Sequence, residues 1–250
     1  MSAYKGYLIQ EDGDSYIGSI KSIDIPIVQD QHVLINVEFS SLNYKDALSA
    51  SGPKYGVTRE YPFVPGIDAA GKILESKSPN FNIGDEVIVT GYSMGMSVFG
   101  GFGEIVHVPA NWVVKLPKNM SLKESMNYGT AGLTAAASVR KIIDNGIDEK
   151  KPILVSGATG GVGSVAVNIL SKLGYEVHAL TGKNNEDIFL KTIGADSVVN
   201  RDDFIQDPVR PLDKALYGGA VDTVGGDILA KIISKVSPKS SISACGNVAG

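Results

Sequence analysis

Cysteine is almost absent from this chain: Cys245 stands alone among 250 residues. A single thiol excludes an intramolecular disulfide and gives no sign of an oxidising compartment. Histidine is nearly as scarce, with His32, His107 and His178 scattered over predicted strands. Long apolar runs are missing too. No stretch approaches the ~18 residues of a membrane span, and the opening Met1–Gly6 lacks a charged segment followed by an apolar stretch and a cleavage site. A cytoplasmic location without membrane contact is the expectation. Neither sign of charge is in excess: 23 Lys and Arg against 27 Asp and Glu leave a net charge of -4, without the basic footprint of a nucleic-acid binder.

What the chain has in quantity is glycine, 29 residues gathered at turns with no fixed period. An apolar fraction of 43% readily supplies a core. The first 121 residues read as β-rich, with strands at His32–Phe39, Gly71–Glu75, Glu86–Thr90 and Glu104–Val108 between Gly and Pro turns. The character changes near Pro117. Ser121 with Glu124 three places on forms a helix-opening capping box, and a second helical stretch runs from about Gly132 to Asn145. From residue 122 to 250 strand and helix alternate. Strands are predicted at Ile153–Ser156, Glu176–Leu180, Ser197–Val199, Ala220–Val224 and Ser241–Ala244, with helices at Val162–Leu173 and Glu186–Ile193. This alternation predicts an α/β domain with a parallel sheet wound by helices. Such a sheet usually has six strands, so a fifth at the very end predicts that a C-terminal segment is missing.

The most informative stretch is Ile153 to Gly163, where an apolar strand enters a glycine loop that opens a helix. That is the context of a dinucleotide fingerprint, in which backbone N–H groups and the helix N-terminus meet a pyrophosphate. Gly163 allows close packing of helix on strand, and Ala158 replaces the usual first glycine. NAD-specific sites place a carboxylate at the end of the second strand. Here Thr181 stands there, followed by Gly182 and Lys183, so nothing repels a 2′-phosphate and Lys183 offers it a charge-assisted hydrogen bond. Arg201 is a further phosphate partner, or a surface residue pairing with Asp202 or Asp203. The cofactor expectation is NADPH.

Asn43-Tyr44-Lys45-Asp46, the run Pro65 to Gly71, Gly84-Asp85-Glu86-Val87, Gly129-Thr130-Ala131-Gly132, the loop Ala158–Gly163, Thr181-Gly182-Lys183 and Asp222-Thr223-Val224-Gly225 follow one another in a particular order. Together they resemble the zinc-free quinone oxidoreductase branch of the medium-chain dehydrogenase/reductase superfamily, and most the YhdH/YhfP group, which includes NADPH-dependent acryloyl-CoA reductases. The resemblance implies a GroES-like catalytic domain followed by a Rossmann-type NADP-binding domain, a homodimer, and several tens of residues beyond Gly250. It implies that Tyr44 lies at the nicotinamide end, with Thr130 near it and Asn247 contacting the same half. Thr159, Gly160, Gly161 and Val162 surround the pyrophosphate, and Thr181, Gly182, Lys183 and Arg201 the 2′-phosphate. The group often has Ser and Arg where Thr181 and Lys183 stand, so the clamp here is less forked.

Zinc-dependent relatives need Cys and His ligands, but the equivalent stretches read Leu42-Asn43-Tyr44 and Gly66-Ile67-Asp68. Asp68 is expected to be a structural hydrogen-bond acceptor and Cys245 an inert buried thiol. Tyr44 is a cofactor-packing residue or a proton donor, and Tyr55 is a second candidate for the latter. Two classes of function follow: a reductase of a small acyl-CoA, enone or quinone, or a non-catalytic NADPH-binding module.

Overall fold

The computed structural model describes residues 3–206, 208–210 and 213–248. The chain divides into two compact units, Met1–Thr130 and Ala131–Gly250. The first unit opens with a hairpin of β1 (Ala3–Asp12) and β2 (Ser15–Asp24), followed by β3 (His32–Phe39). A short helix α1 (Tyr44–Ala50) precedes β4 (Asp68–Ser76), β5 (Glu86–Thr90), β6 (Ile105–Pro109) and β7 (Val113–Lys115). The last five strands form one antiparallel sheet in the order β6-β3-β4-β5-β7. Alternation divides its faces. Val33, Ile35, Ala69, Val87, Val89, Val106 and Val108 build the main core of this unit. Ala70 and Ile88 point the other way, against Leu122 and Met126.

Those two residues lie in the first turns of the helical segment α2 (Leu122–Asn145), which begins as the capping box predicts. Ser121 N–H donates to Glu124 Oε2 (2.8 Å), and Glu124 N–H donates to Ser121 Oγ (3.2 Å). The helix breaks at Gly129, whose φ of 47° lies where a Cβ is strained. The unit boundary therefore falls after Thr130 and not at 121/122, because Leu122 and Met126 pack on the antiparallel sheet. The hairpin β1–β2 and α1 are absent from the sequence expectation, and β4 is longer than Gly71–Glu75. The physical reason is exposure: most of β2 is solvent-facing, so it carries no clean alternation.

The second unit contains β8 (Ile153–Ser156), α3 (Gly161–Lys172), β9 (Val177–Thr181), α4 (Asp187–Thr192), β10 (Ser197–Asn200) and α5 (Arg201–Ile205). Then follow β11 (Gly219–Asp222), α6 (Gly226–Lys235) and β12 (Ile242–Ala244). The five strands are parallel in the order β10-β9-β8-β11-β12, the strand order of a Rossmann-type sheet. Ile153 and Val155 pack with Ala135 and Val139 of α2 and with Ala166 and Leu170 of α3. Leu154 packs on the other face with Phe204, Ile228 and Ile232. Helices thus cover both faces. Among the described residues no helix is long and apolar enough to cross a membrane.

Candidate cofactor site and the Asn43–Asp68 cluster

β8 ends at buried Ser156 and enters the glycine loop. Gly157 turns with φ of 58°, and Gly160 N–H closes the turn on Gly157 O at 2.9 Å. Ala158 N–H reaches Leu180 O of β9 (3.1 Å), so the loop is stitched to the neighbouring strand. The helix then starts hard against the loop. A Cβ on Gly163 would stand 2.3 Å from Gly157 O, a distance no side chain tolerates. The first N–H groups of a helix have no intrahelical partner and carry the positive end of its dipole. Gly161, Val162 and Gly163 occupy that turn of α3. Val162 turns its side chain toward the core, so its backbone N–H is what it offers a ligand.

A buried carboxylate supports the loop from the adjacent strand. Asp222 accepts from Ser156 Oγ (2.5 Å), Gly225 N–H (2.9 Å) and Val224 N–H (3.3 Å). Thr223 Oγ1 donates back to Ser156 O at 3.0 Å. The ends of β8 and β11 are thereby locked together beside the glycines.

A cavity of about 400 Å³ opens at these strand ends. Of the residues the sequence singled out, Thr159, Gly160, Thr181, Gly182, Lys183 and Arg201 line it, while Gly161, Val162 and Asn247 do not. Thr181 ends β9 and takes the N–H of Lys183 on its hydroxyl (3.1 Å). The Arg201 guanidinium lies over Gly182, where an added Cβ would sit 2.6 Å from its central carbon. Arg201 also pairs with Asp202 (3.1 Å), as its surface reading expects, while lining the cavity. Among the described residues no carboxylate lines this cavity. Two cations, threonine hydroxyls and an open helix turn fit a dinucleotide carrying an extra phosphate.

Thr223, Val224, Ile228 and Val248 also line it; none of the four had a site role in the sequence reading, although Thr223 and Val224 stood in a family motif. The run Asp222–Gly225 directly after a strand was the available signal. Asn247 is exposed and packs against Gly225. Cys245 corrects an expectation: the residue is exposed, not buried, because it stands just past the end of β12. It donates to Asp222 O at 3.3 Å, and partial desolvation raises its pKa.

The first unit holds a second polar cluster. Asp68, wholly buried, accepts from Ser41 Oγ (2.5 Å), Asn43 Nδ2 (2.8 Å), Thr130 N–H (2.9 Å) and Thr130 Oγ1 (2.8 Å). The carboxylate is therefore a structural acceptor that holds the broken helix at Gly129. Asp46 caps α1, taking Asn43 N–H (2.8 Å) and Ile67 N–H (2.9 Å), with burial raising its pKa. Tyr44 opens α1 and is 67% exposed. Tyr55 is also exposed, under the Lys54 ammonium. His32 and His107 stack on each other at 5.0 Å, and His178 pairs with Glu176. Among the described residues no three His, Cys, Asp or Glu side chains gather as a metal-binding group.

The antiparallel unit and the Rossmann-type unit together define an oxidoreductase class, and comparison with known proteins makes it specific. Residues 29–118 match the alcohol dehydrogenase GroES-like domain. The chain is 44% identical over 242 residues to YhfP of Bacillus subtilis, named a quinone oxidoreductase, covering 96% of this chain and 73% of the relative. It is 38% identical over 241 residues to the acrylyl-CoA reductase AcuI of Ruegeria pomeroyi, with coverage of 96% and 73%. Among solved structures, Bacillus subtilis YhfP with NAD bound superposes with a TM-score of 0.93 at 42% identity, covering 100% of this chain and 76% of that one. The Salmonella enterica YhdH oxidoreductase in complex with NADP gives 0.91 at 37%, covering 98% and 75%. The chain belongs to the YhfP/YhdH/AcuI family of the medium-chain dehydrogenase/reductase superfamily.

Proposed function

We propose that this protein is an NADPH-dependent reductase that saturates the activated C=C bond of a small acyl-CoA such as acryloyl-CoA. The observation that carries the cofactor is the cavity of the second unit, with Lys183 and Arg201 beside the glycine loop and no carboxylate among the described lining residues. The substrate reading rests on the relatives named acrylyl-CoA reductase. NADPH, when bound, supplies the hydride that reaches the β-carbon. Gly161 and Val162 hold its pyrophosphate through backbone N–H groups, with Thr159 and Gly160 beside them. Thr181, Gly182, Lys183 and Arg201 hold its 2′-phosphate. Thr130 and Asn247 are assigned to the nicotinamide half.

Negative charge develops on the thioester carbonyl oxygen during such a reduction, and the α-carbon must gain a proton. The exposed Tyr44 hydroxyl is assigned to this task, since a phenol is a hydrogen-bond donor at neutral pH. The Asp68 cluster fixes Asn43 next to it, and Asp46 caps its helix, so Tyr44 stands on a rigid support. The protein acts as a cytoplasmic homodimer in this reading, the dimer resting on the family resemblance and the compartment on the single cysteine.

NADPH oxidation measured with acryloyl-CoA, crotonyl-CoA, simple enones and quinones tests the assignment. Turnover of the acyl-CoA substrates well above the others is expected. Fast quinone reduction without acyl-CoA turnover would move the reading to a quinone reductase, the activity named for the 44% identical YhfP. No turnover of any acceptor, with tight NADPH binding, would make the protein a binding module.

A further inference from the structure

A second cleft, of about 490 Å³, lies wholly within the first unit, and none of the candidate site residues lines it. One wall comes from residues 56–63 and the other from residues 96–99. Its apolar lining includes Val57, Phe63, Met96 and Phe99, with Phe63 and Phe99 packed edge to face at 5.6 Å. Among the described residues, Arg59 is the single cation in the lining and Glu60 the single anion. Among the described residues no ion pair engages Arg59, so its planar set of donors is available to a ligand.

The two walls are tied to the helix that carries Tyr44. Ser49, wholly buried in α1, bonds through its hydroxyl to Thr58 Oγ1 (2.5 Å) and to Gly95 O (3.1 Å). Tyr61 Oη donates to the carbonyl of the same Ser49 at 2.6 Å. One residue thus anchors both loops. Tyr44 and Ser49 are five residues apart on α1, a rise of roughly 7.5 Å. The residue assigned to the proton step and the residue that anchors both walls of the cleft therefore share one short helix.

A substrate that fits this layout has a reactive head, an extended arm that packs on apolar walls, and an anionic group beyond it. We propose that the cleft takes the pantetheine arm of an acyl-CoA and that Arg59 pairs with a phosphate of the coenzyme. This rests on the acyl-CoA reading of the function. Arginine suits the role because its planar fork meets phosphate oxygens two at a time, which a lysine does not do. Glu60 in the same lining opposes the anion and so gives the charge argument a second sign.

The test compares kcat/KM for crotonyl-CoA with that for the crotonyl thioester of N-acetylcysteamine, which keeps the reacting end and lacks the phosphates. Arg59→Gln is expected to lower this ratio about tenfold, the scale of one partly exposed charge-assisted contact. The loss should lie in KM for the CoA ester. Arg59→Lys restores part of it, and Glu60→Gln raises the ratio. A ratio that Arg59→Gln leaves unchanged, or that Arg59→Gln and Glu60→Gln move in one direction, overturns the proposal. If the wild-type protein reduces neither thioester, the functional reading fails, and titration with coenzyme A itself then decides the inference. Weaker binding of coenzyme A to Arg59→Gln than to wild type supports the cleft, and equal binding overturns it.

Discussion

Asp68 and Asp222 are both wholly buried carboxylates at the end of a strand, yet they do different work. Asp222 holds its own following turn, taking N–H groups two and three residues ahead, and adds one partner from the neighbouring strand, Ser156. Asp68 takes all its side-chain partners from afar: Ser41 and Asn43 before β4, and Thr130 at the broken helix, 62 residues later. The first carboxylate shapes a loop beside a cofactor cavity. The second pins together segments that the chain delivers separately. Local knots can be rebuilt by a short peptide segment, whereas a distant knot is a tertiary constraint that fails as a whole.

The largest expected effect follows from that difference. Asp68→Ala strands the Ser41, Asn43 and Thr130 donors in a buried site, and breaking such a buried set costs about 3–5 kcal/mol. Asp222→Ala strands fewer groups and should cost less. Urea unfolding monitored by circular dichroism decides the order, and equal losses would erase the distinction between the two knots.

The same contrast governs what was legible in the sequence. β8 emerges at Ile153–Ser156 as predicted, because a buried parallel strand is a continuous apolar run whose neighbours are glycine turns. The capping box at Ser121 and the close approach at Gly163 are likewise short-range chemistry that residue identity carries. α6 escaped because Gly225 and Gly226 open it, although Ile228 and Ile232 lie four apart on its buried side. In the first unit, α1 escaped because seven residues hold too few turns to show a period. Asn43 and Thr130 could be read as members of two family motifs, but the network could not, since nothing in Ser41, Asn43 or Thr130 announces a shared acceptor. Cys245 was misread because the apolar pattern of β12 was extended to a residue that stands just past the strand.

Next in size is the proton step. Tyr44→Phe keeps the ring and removes the hydroxyl, and is expected to lower kcat about 10²-fold while leaving NADPH affinity nearly intact. Stopped-flow measurement of NADPH oxidation gives both quantities. A Tyr44→Phe enzyme with full kcat would leave Tyr44 as a packing residue, and a loss in Tyr55→Phe instead would transfer the role.

Lys183→Glu sharpens the comparison from the side of the second unit. A carboxylate at the end of β9 repels a 2′-phosphate and accepts ribose hydroxyls. NADPH binding should weaken by about 2 kcal/mol, and its advantage over NADH should narrow. Fluorescence titration of the reduced cofactor reads the change, and unaltered NADPH affinity would remove Lys183 from the clamp.

The smallest effect belongs to the histidine stack of the first unit. Burial, with His32 beside it, holds the His107 imidazole below its ordinary value near 6.5. The unfolded chain therefore takes the proton first, so stability is present above that ordinary value and declines as pH falls through it toward the lowered folded value. Unfolding midpoints at pH 7.5 and 5.5 should differ less in His107→Gln than in wild type. An unchanged difference would show that other groups set the slope.

Cofactor choice tests the central claim most directly, because relatives of this chain have been solved with NAD and with NADP. The measurement is the pair of dissociation constants for NADPH and NADH on the wild-type protein at one salt concentration. The account predicts that NADPH binds at least about tenfold more tightly, through Lys183 after β9 and Arg201 after β10. Equal constants, or tighter NADH, would contradict it.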